Sequence, residues 1–290
     1  MNAMRYEAPG SIDEVVALLA AADGDSRILA GGTDLLVQMQ SGFVKPGLIV
    51  DVKKIAEATT ITAEDGGFRI GAAVCGAEIG EHADLKEAWP GVVEAAELIG
   101  SVQIQARASL GGNLCNASPA ADSVPALIAA GAVCSIAGPK GRREVPVADI
   151  ATGPGETSLG TGEVVVSIHL PAQSPRSGDA YLRFIPRTEM DIAVVGAAIN
   201  LSLDENGQCS AARVVLGAVA PTALLVTEAA DALIGGPVDD AALERLDAAA
   251  RAACRPIDDK RGTADYRTKV SGVLARRAAG IALERARSNS

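Results

Sequence analysis

Ser109-Leu-Gly-Gly-Asn-Leu-Cys-Asn-Ala-Ser-Pro-Ala-Ala-Asp122 is the stretch on which the reading of this chain turns. The glycines at 111 and 112 let a backbone turn sharply and come close to a ligand. Successive free N–H groups in such turns form anion-binding nests. Ser109, Asn113 and Ser118 add neutral donors. A second segment of the same kind lies upstream, Leu29-Ala-Gly-Gly-Thr-Asp34. A lone glycine pair is most simply a tight turn. Two of them brought together suit a pyrophosphate held from both sides without any lysine. The familiar nucleotide loops do not fit: Gly153-x-Gly155 has Ser158 where the third glycine of GxGxxG belongs, and GxxxxGK[ST] is absent.

Outward from these two segments the chain alternates short strands and helices. Ser11-Ile-Asp-Glu14 is a capping box, so residues 12–22 read as a helix. Strands are predicted at 27–30, 48–51, 59–62 and 68–71, with a short helix over 34–40. Residues 76–100 read as helical with a break at Trp89-Pro90, and a short helix follows at 123–130. Strands are then expected near 132–137, 143–146 and 164–170. The first part is therefore mixed α+β, without the order of a repeating βαβ sheet. Pro171 to Gly178 is rich in proline, serine and glycine, which places a domain boundary there. Beyond it come three candidate strands at 181–186, 194–202 and 212–219. Asn206-Gly207 signals a hairpin between the last two. Helices over 222–234, 240–253 and 265–286 close the chain, the last with Val270, Val273, Leu274, Ala278 and Ile281 on one face.

Composition narrows the function. The 290 residues carry 26 Lys plus Arg against 36 Asp plus Glu, a net charge of −10. That argues against a nucleic-acid partner, whose phosphates need neutralising, and against an anionic membrane surface. With one Trp, three Tyr and three Phe, single strands have few rings to stack on. No run is long and apolar enough to span a membrane, and Met1 to Gly10 has no apolar signal core, so a cytoplasmic location is expected. Cys75, Cys115, Cys134, Cys209 and Cys254 are odd in number and unclustered. They fit a reduced compartment and make no local zinc or iron–sulfur motif, so no metal ligand is assigned. His82 reads as a surface helix residue and His169 as a structural strand residue. Asp122, before Ser123-Val-Pro-Ala, reads either as a helix N-cap or as a carboxylate accepting from a ribose hydroxyl.

Several of these segments, in order, resemble one family. Leu29 to Asp34 followed by Lys45-Pro-Gly-Leu-Ile-Val-Asp51 looks like the first flavin loop of the medium, FAD-binding subunit of molybdenum hydroxylases, the group of carbon monoxide dehydrogenase and xanthine dehydrogenase. Ile99-Gly-Ser101, Gln105-x-Arg107 and Ser109 to Asp122 resemble the second loop. Glu163-Val-Val-Val-Ser-Ile-His-Leu-Pro171 resembles the strand that ends the flavin domain. Asp191-Ile-Ala193 and Asp259-Lys-Arg-Gly-Thr-Ala-Asp-Tyr-Arg267 resemble the smaller C-terminal domain.

The resemblance implies an α+β fold. Its FAD-binding domain would be of the vanillyl-alcohol-oxidase (PCMH) type, over 1–175 with subdomains of about 1–55 and 56–175. A small C-terminal domain with a three-stranded sheet and helices would follow over 176–290. It implies FAD on this chain, with its pyrophosphate between the loop of Leu29, Ala30, Gly31, Gly32, Thr33, Asp34 and Leu35 and the loop of Ser109, Gly111, Gly112 and Asn113. The Gly111 and Gly112 amides and Asn113 would face phosphate or ribitol, and Ala121 and Asp122 would lie at the adenosine ribose. Ile99 and Val165 would pack on flavin or adenine rings. Ile99 is aliphatic where some relatives carry an aromatic. Arg183 would stand beside the isoalloxazine near a position where relatives have lysine, with the spacing shifted by a residue. Gly112→Ala is then expected to weaken FAD retention more than Gly138→Ala, a turn glycine outside the motif.

The resemblance also implies partners. A large molybdopterin subunit would oxidise the substrate, and a small subunit would carry [2Fe-2S] clusters, together a dimer of heterotrimers. Electrons would reach the flavin here and leave to an external acceptor. No catalytic acid or base is assigned, because the redox chemistry belongs to the cofactor. A stand-alone flavin oxidoreductase of the same fold is the alternative, and a scaffold that has lost flavin is a further one.

Overall fold

The computed structural model describes residues 4–22 and 24–289. Met1 to Ala3, the start of the segment read above for a signal core, lie outside the described residues. The chain opens with a small parallel sheet of β1 (Arg5–Glu7), β2 (Ser26–Leu29) and β3 (Leu48–Asp51), in the order β1-β3-β2. Helices α1 (Ile12–Ala20) and α2 (Leu35–Gln40) make the crossovers. The capping box forms with one change of partner. Ser11 Oγ accepts from the Glu14 N–H at 3.3 Å, while Glu14 Oε2 accepts from the N–H of Gly10 at 2.8 Å. Ile12, Val15 and Leu19 of α1 pack with Leu48 and Val50 of β3.

Next come α3 (Ala56–Thr59), β4 (Ile61–Glu64), β5 (Gly67–Gly71), α4 (Gly76–Glu81), α5 (Ala83–Ala88) and α6 (Pro90–Glu97). They are followed by α7 (Val102–Gln105), α8 (Leu110–Cys115), α9 (Ser123–Ala129), β6 (Val133–Gly138), β7 (Gly141–Pro146), β8 (Ala151–Gly153), β9 (Glu156–Thr157) and β10 (Val164–Leu170). Their strands form an antiparallel sheet of order β4-β5-β10-β6-β7, whose central strands β5 and β10 are buried on both faces. Ile70, Ile136 and Ile168 point into the main core with α6 and α9, and Ala137, Val164 and Val166 point toward α1 and the parallel sheet. Trp89-Pro90 breaks the helical stretch as expected, with Pro90 at the first position of α6, where its missing N–H costs nothing. His82 is not a surface residue. It is half-buried, its Nδ1 accepts the Leu85 N–H at 3.2 Å to cap α5, and its ring meets Phe68 edge-on at 5.7 Å.

The last part holds β11 (Ser177–Phe184), β12 (Val195–Leu203), β13 (Cys209–Gly217), β14 (Leu224–Leu225), α10 (Thr227–Asp231), α11 (Asp240–Ala253) and α12 (Ala264–Ser288). Its sheet is four-stranded, in the order β11-β12-β13-β14, which corrects the three strands expected from sequence. The extra edge strand is two residues inside the stretch read as a helix over 222–234, too short to show a period of two. Along β12 and β13 the side chains alternate: Ala198 and Val215 face the first part, Val195, Ile199, Val214 and Leu216 face the helices. The buried side of α12 is built largely from small residues, Ser271, Ala275, Ala278, Ala279, Ala282 and Ala286, while Gly272 faces α11. Of the apolar stripe expected there, Leu274 and Ala278 are buried, and Val270, Val273 and Ile281 are only half-buried. Small residues win because the helix backbone lies so close: a Cβ on Gly178 of β11 would stand 2.3 Å from the Ala282 carbonyl oxygen.

Candidate functional site: two glycine pairs across one cleft

A cleft of about 470 Å³ opens between the parallel sheet and the end of β10, within the range of small-molecule sites. Ala30, Gly31, Gly32, Thr33, Asp34 and Leu35 line one wall, Ser109, Gly111, Gly112 and Asn113 the other, and Ile99 and Val165 also line it. The two segments singled out in the sequence therefore face each other, although about 80 residues separate them.

Close contact between the walls explains one glycine. A Cβ at Gly31 would stand 1.8 Å from the carbonyl oxygen of Arg107, the residue that leads into the second wall. Gly32 has φ +79, and a Cβ there would also meet Leu29 at 2.9 Å. Both positions require glycine, the first for space and the second for conformation. After this turn, the N–H groups of Gly31, Gly32, Thr33 and Asp34 donate to no group among the described residues. A run of free amides beside a cleft is chemically suited to an anion.

The second wall is built differently. Ser109 to Asn113 is not an open loop but the first turn of α8, with Ser109 as its N-cap. The Gly111 N–H donates to Ala72 O at 3.1 Å and the Gly112 N–H to Ser109 Oγ at 3.1 Å. Neither amide is free, contrary to the expectation that both face a ligand. A Cβ at Gly111 would stand 2.5 Å from Ala72 O, so this glycine lets α8 seat against the turn after β5. Asn113 is the donor that remains. Its Oδ1 accepts from Ser123 Oγ at 2.7 Å and Ser123 N at 3.3 Å. That fixes the amide and leaves Nδ2 for the cleft. Gln38 Nε2 donates to Asn116 Oδ1 at 3.1 Å and ties α2 to the end of α8.

Four residues expected at the site do not line the cleft. Leu29 lies beneath Gly32, and Ala121 is in the main core. Asp122 and Arg183 pair with each other, Arg183 Nη1 donating to Asp122 Oδ2 at 2.7 Å, and Tyr181 Oη donates to Asp122 Oδ1 at 3.0 Å. Asp122 stands at the N-cap position of α9, as one of its two readings had it, but its side chain makes no capping hydrogen bond. Burial pushes its carboxyl up to about 6 against the pull of Arg183 and Tyr181, and pushes the Tyr181 phenol well above its ordinary value. Sequence reasoning missed several lining residues: Arg27, Gln38, Phe43, Asn116, Thr157 and Glu163. Gln38 and Phe43 flank the first motif and carried a signal only by proximity. Thr157 arrives on the β8–β9 hairpin and carried none; Glu163, directly before β10, opened the strand motif quoted above but was not read as a site residue.

Three charged side chains line the cleft; two are paired, and the third, Asp34, has no partner among the described residues, with burial pushing its carboxyl up. Arg27 pairs with Asp25 at 2.5 Å. Glu163 receives Arg143 at 2.7–2.8 Å and the Gly160 N–H at 2.7 Å; the Arg143 guanidinium, with this N–H, holds its carboxyl down at about 2. No lysine lines the cleft. Among the described residues no group of His, Cys, Asp and Glu suits a metal ion, and no helix is long and apolar enough to cross a membrane. The donor set fits a dinucleotide whose diphosphate is held by backbone amides and neutral side chains.

Comparison with known proteins agrees with this geometry. Residues 2–173 match the family described as the FAD binding domain in molybdopterin dehydrogenase, and residues 180–282 match the CO dehydrogenase flavoprotein C-terminal domain. The chain is 34% identical over 280 residues to the carbon monoxide dehydrogenase medium chain of Hydrogenophaga pseudoflava, covering 97% of each. It is 33% identical over 264 residues to the xanthine dehydrogenase FAD-binding subunit of Escherichia coli O157:H7, covering 90% of each. Among solved structures, a reconstituted CO dehydrogenase from Oligotropha carboxidovorans superimposes with a TM-score of 0.93 at 33% identity, with 98% of each chain covered. Quinoline 2-oxidoreductase from Pseudomonas putida 86 does so with a TM-score of 0.90 at 30% identity, again with 98% of each chain covered. With its site geometry and both halves matched in order, the chain belongs to the FAD-binding medium subunits of the carbon monoxide dehydrogenase and xanthine dehydrogenase family of molybdenum hydroxylases, subunits of oxidoreductase complexes.

Proposed function

We propose that this chain holds FAD in the cleft, takes electrons from iron–sulfur clusters on a small partner subunit, and hands them to an external acceptor. A large partner subunit with the molybdopterin cofactor oxidises the substrate. The observation that carries the reading is the run of unbonded amides at Gly31 to Asp34, opposite Asn113 in a cleft without lysine. Bound FAD would supply the chemistry that accepts electrons singly and releases them in pairs.

The chain's own residues bind and orient. The amides of Gly31 to Asp34 receive the diphosphate charge, and their orientation is set before binding by the close approach of Gly31 to Arg107. Asn113 Nδ2 donates from the other side. Ile99 and Val165 offer apolar walls for the rings. The Gln38–Asn116 hydrogen bond keeps the walls at one spacing. No side chain in the cleft is assigned a proton transfer. Asp122 and Arg183 support the cleft through α9 and β11 rather than touching the cofactor.

Purification of the intact complex tests this. FAD, molybdenum and iron in one assembly with this chain is the expected result. Molybdenum and iron without flavin would refute it. Turnover of a small substrate by this chain alone would instead favour a stand-alone flavin oxidoreductase.

A further inference from the structure

Where the C-terminal sheet meets the first part of the chain, Asp179, Asn200 and Arg213 stand in one row across β11, β12 and β13. Directly opposed residues on neighbouring strands point to the same face. Each of the three reaches a helix of the first part. Asp179 Oδ2 accepts the Val92 N–H at 3.1 Å at the start of α6. Asn200 Nδ2 donates to Ala129 O at 3.4 Å, and Arg213 Nε donates to Ile128 O at 3.1 Å, both at the end of α9. Two oxygens of this row, Asp179 Oδ1 and Asn200 Oδ1, are buried with no hydrogen-bond partner among the described residues.

Two acceptors cannot satisfy one another. Turning the Asn200 amide over would offer a donor to Asp179, but would set the amide oxygen against the Ala129 carbonyl. A single proton on Asp179 resolves both orphans, because a carboxylic acid donates through O–H. We propose that Asp179 is held as the neutral acid, its Oδ1–H donating to Asn200 Oδ1, so that one proton completes the polar row seating the C-terminal sheet on α6 and α9.

The surroundings favour the neutral form. Asp179 is 4% exposed, and a Cβ on Gly91 would stand 2.6 Å from its Oδ2. The charged groups that face it are Glu94 of α6, Arg285 of α12 and, beyond Asn200, Arg213 of β13; α9 contributes none. Arg285 is committed elsewhere. It pairs with Glu94 and donates to the backbone oxygen of Asp179 at 2.7 Å, not to the carboxylate. Burial therefore outweighs Arg285 and the N–H groups of Gly91 and Val92, and pushes the carboxyl up to about 7. The inference concerns a seam between two parts of this chain, and it holds whether or not the cleft takes flavin.

The test compares the full chain with Asp179→Asn. An unfolded aspartate ionises near pH 4, so the native state binds one more proton than the unfolded state from about pH 4 to about pH 7. Wild-type stability must fall with rising pH across that window and level off above it. In Asp179→Asn an amide N–H takes the place of the acid O–H at every pH. The unfolding constant of the wild type should therefore climb about tenfold per pH unit relative to the variant from about pH 5 to 6.5, and not at all above about pH 8. Parallel profiles, with the variant weaker throughout, would mean an ionised Asp179 at the helix N-terminus and would overturn the proposal. Carboxyl ¹³C spectra of the wild type and Asp179→Asn give a second reading. An aspartyl signal still mostly protonated at about pH 6.5 in the wild type and missing from Asp179→Asn, and so not that of Asp122, supports the proposal; the absence of any such signal refutes it.

Discussion

The two glycine pairs are almost interchangeable as sequence, Ala-Gly-Gly-Thr beside Leu-Gly-Gly-Asn, yet they do opposite work. At Gly31–Gly32 the missing side chains bring two backbone segments together and leave four consecutive amides without partners among the described residues. At Gly111–Gly112 they seat a helix against Ala72, and both amides are spent inside the protein. A glycine pair marks close approach; what approaches, a ligand or a neighbouring backbone, is decided by the rest of the fold.

The comparison can be broken at several points. The largest effect is expected at the end of the second stretch. Asp122→Ala leaves Arg183 buried and unpaired, which should cost about 3–5 kcal/mol of stability and be visible in denaturant unfolding of the flavin-free chain. A loss under about 1 kcal/mol would mean that Arg183 finds water, and that the seam is looser than its 2.7 Å bond implies.

Next come Gly31→Ala and Gly111→Ala, whose new methyl groups would meet the Arg107 and Ala72 carbonyls. Each should lose about 1–3 kcal/mol by overpacking. They should part in ligand binding: Gly31→Ala opens the nest and loses flavin even where the chain is folded, whereas Gly111→Ala loses flavin only in proportion to unfolding. Equal flavin loss per folded molecule would erase the distinction between the pairs.

Gly32→Ala forces alanine to φ +79, at about 1–2 kcal/mol, and should raise the flavin dissociation rate. Rapid-dilution fluorescence would show it.

The smallest effect is at Gly112. A methyl there meets only Ser109 Oγ, at 3.1 Å, and alanine favours helix by about 1 kcal/mol. Gly112→Ala should leave the flavin-free chain as stable or more so, with modestly reduced flavin content from crowding of the cleft. Gly138 is no neutral control, because its added Cβ would meet Glu163, a cleft residue, at 2.7 Å. Gly280, in α12 with open space around it and outside the cleft, is the proper one, and Gly280→Ala should raise stability by about 1 kcal/mol, as any helical Gly→Ala does, with flavin content unchanged. Reduced flavin content in Gly280→Ala as well would remove the meaning of the Gly112 result.

Legibility in the sequence followed the range of the interaction. The capping box at Ser11, the Trp89-Pro90 break and the Asn206-Gly207 hairpin rest on contacts within a few residues, and all are where the pattern put them; strand β10, whose partners β5 and β6 are far off in sequence, was legible from its β-branched run. The edge strand Leu224–Leu225 was hidden because two residues make no pattern, and because it pairs with a strand ten residues back. Asp122 was read toward a ligand or a helix cap, yet its partners Tyr181 and Arg183 come from 59 and 61 residues away. Glu163 was legible only as the start of a strand motif, because the partner that holds its carboxylate, Arg143, lies 20 residues back.

From the sequence alone came the order of elements, the family resemblance and the two places where backbone must come close to something. Those are properties of local geometry and of residues that lack a side chain. Only the tertiary structure decided which amides stay free, which carboxylates face a cation and which face an amide, and that Asp179 and Asn200 share a buried seam. Hydrogen bonding is an accounting of partners, and in this chain the deciding partners are far apart in sequence and adjacent only once it has folded.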